Sequence, residues 1–417
     1  MSESSEALNR IIKGENVFVH GSAGTGKSSL IDGYMDIFGD TTIIVAPTGL
    51  AAINVGGVTI NSAFKMPTKI PDFKDIKNLK PVRELFGLDS PTTTIVIDEF
   101  GMTHSSTMFF MDKTLQKIRK NSDPFGGLQV VMVGDLFQLQ PIVKTEDRRE
   151  YFNLHGYPEP FMYKDWNSLN ITTQHLTKVY RQKDEEFSGV LNRLRTGRMT
   201  KWDIDYINSR VQSNVDDKPT ICMTNKKAEV TNKYMFDQIP SKAKTYKATV
   251  SGTFKERPVP MILNLKVGAK VVICVNDQEG GYVNGDVGVI TKMQRDYVAV
   301  DTERDGLKVV HKRVFTDYKI EHETQNGKLV NKRVPSGHYR QLPLKLFYAS
   351  TVHKVQGQTL DRVHVDFERG TFCDGQAYVA LSRIKTLEGL TLERPLRFSD
   401  IKVNKRVVEF CNKIQLN

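Results

Sequence analysis

The chain has 417 residues, 39% hydrophobic and 26% charged, which suits two or three globular cores and excludes a disordered or fibrous protein. No apolar run approaches the roughly 18 residues of a membrane span, and the N-terminal MSESSEALNR lacks the basic-then-apolar pattern of a secretory leader. The four cysteines lack CxxC spacing, which argues for a reducing compartment and against structural zinc, while a net charge of +11 favours a polyanionic partner such as nucleic acid.

In chain order, the first apolar run is Val17–His20, followed at once by Gly21-Ser22-Ala23-Gly24-Thr25-Gly26-Lys27-Ser28. This fits the phosphate-loop pattern GxxxxGK[ST]. The glycines let backbone N–H groups turn inward around an anion, and a helix starting near Lys27 aims its positive end at the same point. Lys27 then reaches the outer phosphates and the Ser28 hydroxyl takes one position on Mg²⁺. Further strands are expected at Thr42–Ala46, Thr93–Asp98 and Gln129–Val133. Each ends in a polar or glycine-containing stretch: Pro47-Thr48-Gly49, Asp98-Glu99 and Gly134-Asp135. Alternation of such strands with helices predicts a parallel α/β sheet whose strand ends carry the site.

Between the second and third strands, Lys65 to Pro91 holds four prolines and, before Glu84, six basic residues against two acidic ones. It reads as an inserted subdomain. Residues 143–175 are mixed and aromatic and read as a bridge. A second α/β unit starts near residue 176, with a strand at Thr220–Thr224 and others after residue 345. From Val267 to about Leu342 short β-branched runs are split by Gly and Asn, which predicts a small antiparallel barrel or sheet inserted there. Residues 304–345 hold ten Lys/Arg against four Asp/Glu, a surface suited to a polyanion.

The chemistry-bearing residues follow from these positions. Asp98 at a buried strand end can hold Mg²⁺ through water, and Glu99 beside it can polarise an attacking water. The amide of Gln138 can sense a terminal phosphate. Arg181 and Arg383, far from the loop in sequence, can supply guanidinium groups to charge developing in phosphoryl transfer. Thr351, His353 and Lys354 offer hydroxyl, imidazole and ammonium donors to a phosphodiester backbone.

Seven stretches in order carry a resemblance: GSAGTGKSS, APTGLAAINVGGVTINSAF (46–64), DEFGM (98–102), GDLFQLQP (134–141), LTKVYRQ (176–182), LPLKLFYASTVHKVQGQTL (342–360) and YVALSR (378–383). Together they resemble the superfamily 1 5′-to-3′ DNA helicases of the petite-integration-frequency (Pif) type, related to the phage Dda and bacterial RecD helicases. The resemblance implies an α/β fold of two RecA-like (P-loop NTPase) domains. Residues 1–175 would form the first, with an inserted wedge at about 65–91. Residues 176–417 would form the second, with an inserted SH3-like β subdomain at about 276–342.

It also implies roles. Residues Gly21, Ser22, Ala23, Gly24, Thr25, Gly26, Lys27, Ser28 and Ser29, with Gln356 and Gly357, would bind ATP. Ser28 and Asp98 would hold Mg²⁺, Glu99 would activate water, Gln138 would sense the γ-phosphate, and Arg181 and Arg383 would be arginine fingers. Pro47, Thr48, Asn61, Phe64, Thr351, His353 and Lys354 would contact DNA. The implied protein is a monomeric, intracellular, cytoplasmic ATPase acting on single-stranded and forked duplex DNA, beside replication or single-strand-binding proteins and away from membranes. Compact size fits a phage-encoded replication protein.

Three departures stand out. Asn61 replaces the usual His, Phe100-Gly101 replaces a small apolar residue and Ser, and the upstream glutamine that reads adenine has no evident counterpart near Ser4. Two rivals stay open on the residues: an ATP-driven translocase that remodels forks or strips proteins with weak unwinding, and a nucleotide-gated single-strand-binding accessory protein. A pure binder would need neither Glu99 nor two fingers.

Overall fold

A computed structural model describes residues 2–415 except 68, 78, 183, 213–217, 253, 255–256 and 278–280. The chain divides into two units. The first comprises Met1–Tyr180, Tyr318–Val334 and Asn404–Asn417; the second comprises Arg181–Asp317 and Pro335–Val403.

The first unit is built on six parallel strands: β1 (Asn16–Gly21), β2 (Thr42–Ala46), β3 (Val58–Thr59), β4 (Thr94–Ile97), β5 (Gln129–Gly134) and β6 (Ile171–Leu176). Their order across the sheet is β3-β2-β4-β5-β1-β6. The central strands are continuous apolar runs because helices cover both faces of a parallel sheet. Val17, Val19, Val96, Val131 and Val133 pack with Leu30, Ile31 and Tyr34 of the helix Lys27–Phe38. The strands are parallel, so the phosphate loop after β1, Asp98-Glu99 after β4 and Gly134-Asp135 after β5 all leave the sheet at one edge. With β5 between them, the ends of β1 and β4 stand roughly 10 Å apart, two inter-strand spacings.

The segment expected as an inserted subdomain is short on regular structure, with a 3₁₀ turn at Phe73–Asp75 and a helix at Lys80–Phe86. Phe86 is buried and stacks on Phe64, ring centroids 4.9 Å apart. His155 Nε2 lies 2.7 Å from the Pro71 carbonyl, and Lys117 Nζ donates to the Ile76 carbonyl at 3.2 Å. These contacts tie its irregular stretch to the first unit.

The second unit holds a four-stranded parallel sheet in the order Ala349–Thr351, Thr220–Cys222, Val363–Asp366, Leu390–Leu392. The expected insertion is a five-stranded antiparallel sheet running from Lys270–Ile273 to Leu344–Leu346. Its core is Leu263, Leu265, Val271, Ile273, Ile290, Val298 and Val300. A long hairpin, Arg313–Gln325 and Lys328–Gln341, turns at Asn326-Gly327, where both residues have positive φ (51° and 76°). That is the signature of a two-residue hairpin turn, which Asn-Gly accommodates at low cost.

The division differs from the expected boundary at residue 175 in two places. The hairpin tip groups with the first unit, where Asn331 Nδ2 donates to the Thr92 hydroxyl at 3.0 Å. The C-terminal helix Lys405–Gln415 also groups there, because Phe410 stacks on Phe161 with centroids 4.2 Å apart. Among the described residues no helix is long and apolar enough to cross a membrane.

Candidate nucleotide site and strand-contact residues

The loop after β1 has the shape its glycines allow. Gly24 and Gly26 adopt φ of 82° and 83°, a region that L side chains enter only with strain. A Cβ on Gly21 would lie 2.5 Å from the Leu176 carbonyl oxygen, so only glycine lets β1 pass this close to β6. The Thr25 hydroxyl closes the loop on the Ser22 carbonyl at 3.0 Å. Lys27 Nζ donates to the carbonyls of Gly21 and Ser22, both at 2.8 Å, so the ammonium is held at the rim of the loop. Ala23 is buried, while Ser28 and Ser29 are exposed at the start of the helix.

One residue here escaped sequence reasoning. The Tyr180 N–H donates to the Gly24 carbonyl at 2.8 Å, and its ring passes 3.7 Å from where a Cβ on Gly26 would stand. Lys178 Nζ sits 5.2 Å from the centre of the same ring. The aromatic immediately before Arg181 was the available signal.

Asp98 is half-buried, and burial followed by the charge of Glu99 pushes its carboxyl up to about 7, with Lys27 pulling the other way. Glu99 is in the left-handed region (φ 48°, ψ 43°), uncommon for a non-glycine residue and most often kept where function over-determines it. The two residues that depart from the usual pattern now have a reason. Phe100 is buried against Phe18 (5.3 Å) and Trp166 (5.9 Å). A Cβ on Gly101 would meet the Asp135 carbonyl oxygen at 2.7 Å, so the chain after Glu99 lies against the start of the Gln138 loop. Gln138 is almost buried, with Nε2 3.4 Å from Asp135 Oδ2.

Ser28 and Asp98 are hard oxygen donors of the kind that Mg²⁺ takes alongside substrate phosphates. Among the described residues no group of three His, Cys, Asp or Glu side chains is placed to hold a metal ion. The raised carboxyl of Asp98 gives a pH test. Its folded-state pKa lies above the ordinary 3.8, so the stability linked to it is full below about 4 and is lost as pH rises toward 7. Without nucleotide or Mg²⁺, wild-type melting temperature should therefore fall relative to Asp98→Asn between pH 5 and pH 8. Parallel melting curves for the two proteins would count against a raised Asp98.

In the second unit, two motifs 202 residues apart meet. Arg181 Nη1 donates to the Ser382 carbonyl at 3.3 Å, and Gln182 Nε2 donates to the carbonyls of Ser382 (3.3 Å) and Ile384 (2.9 Å). These acceptors flank Arg383, which is only 1% exposed. Arg383 donates through Nε to the Val379 carbonyl (3.0 Å), through Nη1 to the Gln358 carbonyl (3.2 Å) and through Nη2 to the Ser382 hydroxyl (3.0 Å). The Gln356-Gly357 stretch is thereby tied to the same cluster through Gln358, and Gly357 has φ 81°. Sequence reasoning named both arginines and missed Gln182, which joins them.

The strand-contact candidates are placed unevenly. Pro47 and Thr48 follow β2, and the Thr48 hydroxyl caps the helix Gly49–Asn54 by accepting from the Ala51 N–H at 3.3 Å. Asn61 is exposed in the first turn of Ile60–Phe64. Phe64 corrects its expectation: at 1% exposure and stacked on Phe86, it has no face to offer a base. Thr351 is also buried, its hydroxyl 3.5 Å from Asn225 Oδ1. Lys354 is exposed, and half-buried His353 has its pKa lowered by burial, which keeps the ring neutral at pH 7.

A phosphate loop after one strand and an acidic end on another, at one edge of a parallel α/β sheet, define the P-loop class of folds. A sequence model described as PIF1-like helicase matches residues 3–204. The ATP-dependent DNA helicase Pif1 of Bdellovibrio bacteriovorus is 30% identical over 408 residues, covering 94% of this chain and 87% of that protein. The chain belongs to the PIF1-like helicase family.

Among solved structures, Bacteroides sp Pif1 in complex with ADP-AlF4 superposes with a TM-score of 0.90 at 29% identity, covering 100% of this chain and 97% of that one. Candida albicans Pif1 gives 0.74 at 28% identity, covering 99% of each chain. The ATP-dependent DNA helicase PIF1 of Danio rerio is 30% identical over 99% of this chain, which spans 64% of that relative's length.

Proposed function

We propose that this chain is an ATP-dependent DNA helicase that moves 5′ to 3′ on single-stranded DNA and unwinds duplex ahead of it. Lys27 and the loop N–H groups bind the outer phosphates, and Ser28 and Asp98 hold Mg²⁺. When bound, the cation neutralises charge on the phosphates. Glu99 orients and deprotonates the attacking water, and Gln138 hydrogen-bonds the terminal phosphate. Arg181 and Arg383 stabilise charge developing on the transferred group. Pro47, Thr48, Asn61, His353 and Lys354 are the proposed contacts to the DNA strand.

The observation that carries this reading is the clasp of Arg181 and Gln182 on the backbone flanking Arg383. A pure binding protein has no use for two guanidinium groups held in one cluster. Hydrolysis removes the group these arginines recognise, so the states before and after hydrolysis differ by contact energy, and a population shift requires such a difference. Structures described as Bacteroides Pif1 bound to ssDNA, and as two Pif1 helicases at forked dsDNA, support single-stranded and forked DNA as partners.

Duplexes with a 5′ tail or a 3′ tail, each with and without ATP, test the proposal. Unwinding of the 5′-tailed duplex alone, and only with ATP, is the expected result. ATP-dependent movement without strand separation would favour a translocase, and tail binding without turnover would favour a nucleotide-gated binding protein.

A further inference from the structure

The C-terminal residues that return to the first unit lie against the Gln138 loop. Gln140 bridges two partners there. Its Nε2 donates back to the Leu136 carbonyl at 3.2 Å, across the residue that senses phosphate, and its Oε1 accepts from Asn404 Nδ2 at 2.8 Å. Asn404 is 8% exposed and itself fixed. Its amide also donates to Glu159, and its Oδ1 accepts from the Arg406 N–H at 2.9 Å. Glu159 is 2% exposed and takes Arg406 Nη2 at 2.6 Å and Nε at 3.1 Å on the same oxygen. The Arg406 guanidinium lies 3.9 Å over the Tyr157 ring, and Phe410 stacks on Phe161. The chain around Asn404 is thus immobilised on two sides, by an ion pair and by an aromatic stack.

We propose that Asn404 is a positioning residue for ATP hydrolysis: through Gln140 it holds the loop that carries Gln138 in the register needed to meet the terminal phosphate. A surface strap would be satisfied by the Arg406–Glu159 pair alone. Instead, one of the buried amide's donors is spent on a side chain two residues from the sensor, in a motif otherwise devoted to the nucleotide. A loop held within a few tenths of an ångström matters for turnover more than for binding, since the lost geometry is that of the transition state.

The inference rests on the helicase reading, and two measurements separate the two. Amide hydrogen exchange of residues 134–141 reads the strap directly, with no need for activity. Asn404→Ala should raise exchange there about three- to tenfold, the range expected for one net hydrogen bond. Arg406→Ala, which cuts the ion pair and spares the Gln140 contact, should lower melting temperature at least as much and leave exchange at 134–141 unchanged. DNA-stimulated ATPase is the second measurement. Asn404→Ala should lower kcat about five- to tenfold with KM for ATP within twofold. Gln140→Ala/Asn404→Ala should be no slower than Gln140→Ala alone, because the bond between the two side chains is already lost in Gln140→Ala.

Unchanged exchange at 134–141 in Asn404→Ala, an equal rise in exchange there in Arg406→Ala, or additive losses of kcat in the double variant would each overturn the positioning role. A wild-type protein without DNA-stimulated turnover would overturn the helicase reading, and the exchange data would still decide the strap.

Discussion

Lys27→Ala should lower DNA-stimulated ATP hydrolysis by a factor of about 10²–10³ or more, the usual loss when a preorganised donor to developing charge is removed. Lys27 is the one ammonium in the loop sequence 21–28, and it lies where two carbonyls, Gly21 and Ser22, hold it at 2.8 Å. Alanine removes that charge and leaves the loop's other supports intact. The two left-handed glycines and the Tyr180–Gly24 backbone bond do not involve the Lys27 side chain, and the Thr25 hydroxyl, which Lys27 Nζ also reaches at 3.4 Å, keeps its own bond to the Ser22 carbonyl. Melting temperature should therefore move by no more than about 2 °C, as for a half-buried rim position. Steady-state ATPase with saturating single-stranded DNA checks the rate, and fluorescence anisotropy of a labelled oligonucleotide checks that DNA binding survives. Glu99→Gln makes the matching control, losing turnover and retaining nucleotide. Wild-type turnover in Lys27→Ala would remove the loop from the chemistry and every role assigned around it.

The residues explain why this site was readable before any coordinates. A parallel sheet needs buried strands on both faces, so β1, β2, β4 and β5 are unbroken apolar runs whose ends are marked by Gly, Asp or Pro. Strand β6 was not readable in the same way. Its sequence Ile-Thr-Thr-Gln-His-Leu lies at the sheet edge and is half-buried up to the buried Leu176, so neither an apolar run nor a clean alternation marks it. The hairpin turn at Asn326-Gly327 was legible in principle, since that dipeptide is a strong hairpin signal, yet the grouping of its tip with the first unit depends on single hydrogen bonds such as Asn331 to Thr92.

The site shows the same split. Lys27, Asp98, Glu99 and Gln138 follow strands, and position alone marks them as candidates. Phe64 could not be assigned correctly, because a phenylalanine beside a polar helix start reads equally as a base platform or as core, and only its stack on Phe86 decides. Gln182, Gln140 and Asn404 are bonded to partners up to 264 residues away, as in the bond from Asn404 to Gln140. No local pattern encodes such pairs.

Arg383 gives the second large effect, and here burial makes the choice of substitution decisive. The guanidinium is 1% exposed and bonded to Val379, Gln358 and Ser382. Arg383→Ala would leave these acceptors facing a void, at a cost of roughly 2–4 kcal/mol to the second unit, so a fall in activity could reflect unfolding alone. Arg383→Lys separates the two roles. Lysine keeps the charge and can satisfy one or two of the three acceptors, but it lacks the planar fork that grips a phosphate while still bonded to the backbone. A finger role would require Nε to keep its bond to Val379 while the Nη groups exchange Gln358 and Ser382 for phosphate oxygens, an exchange no ammonium can reproduce. Arg383→Lys is therefore expected to lose about 10³-fold in kcat, the lower end for an arginine finger, with nucleotide affinity within a few-fold and only a modest drop in melting temperature. If turnover instead tracks melting temperature across wild type, lysine and alanine, Arg383 is a structural arginine, and Arg181 alone carries the finger role.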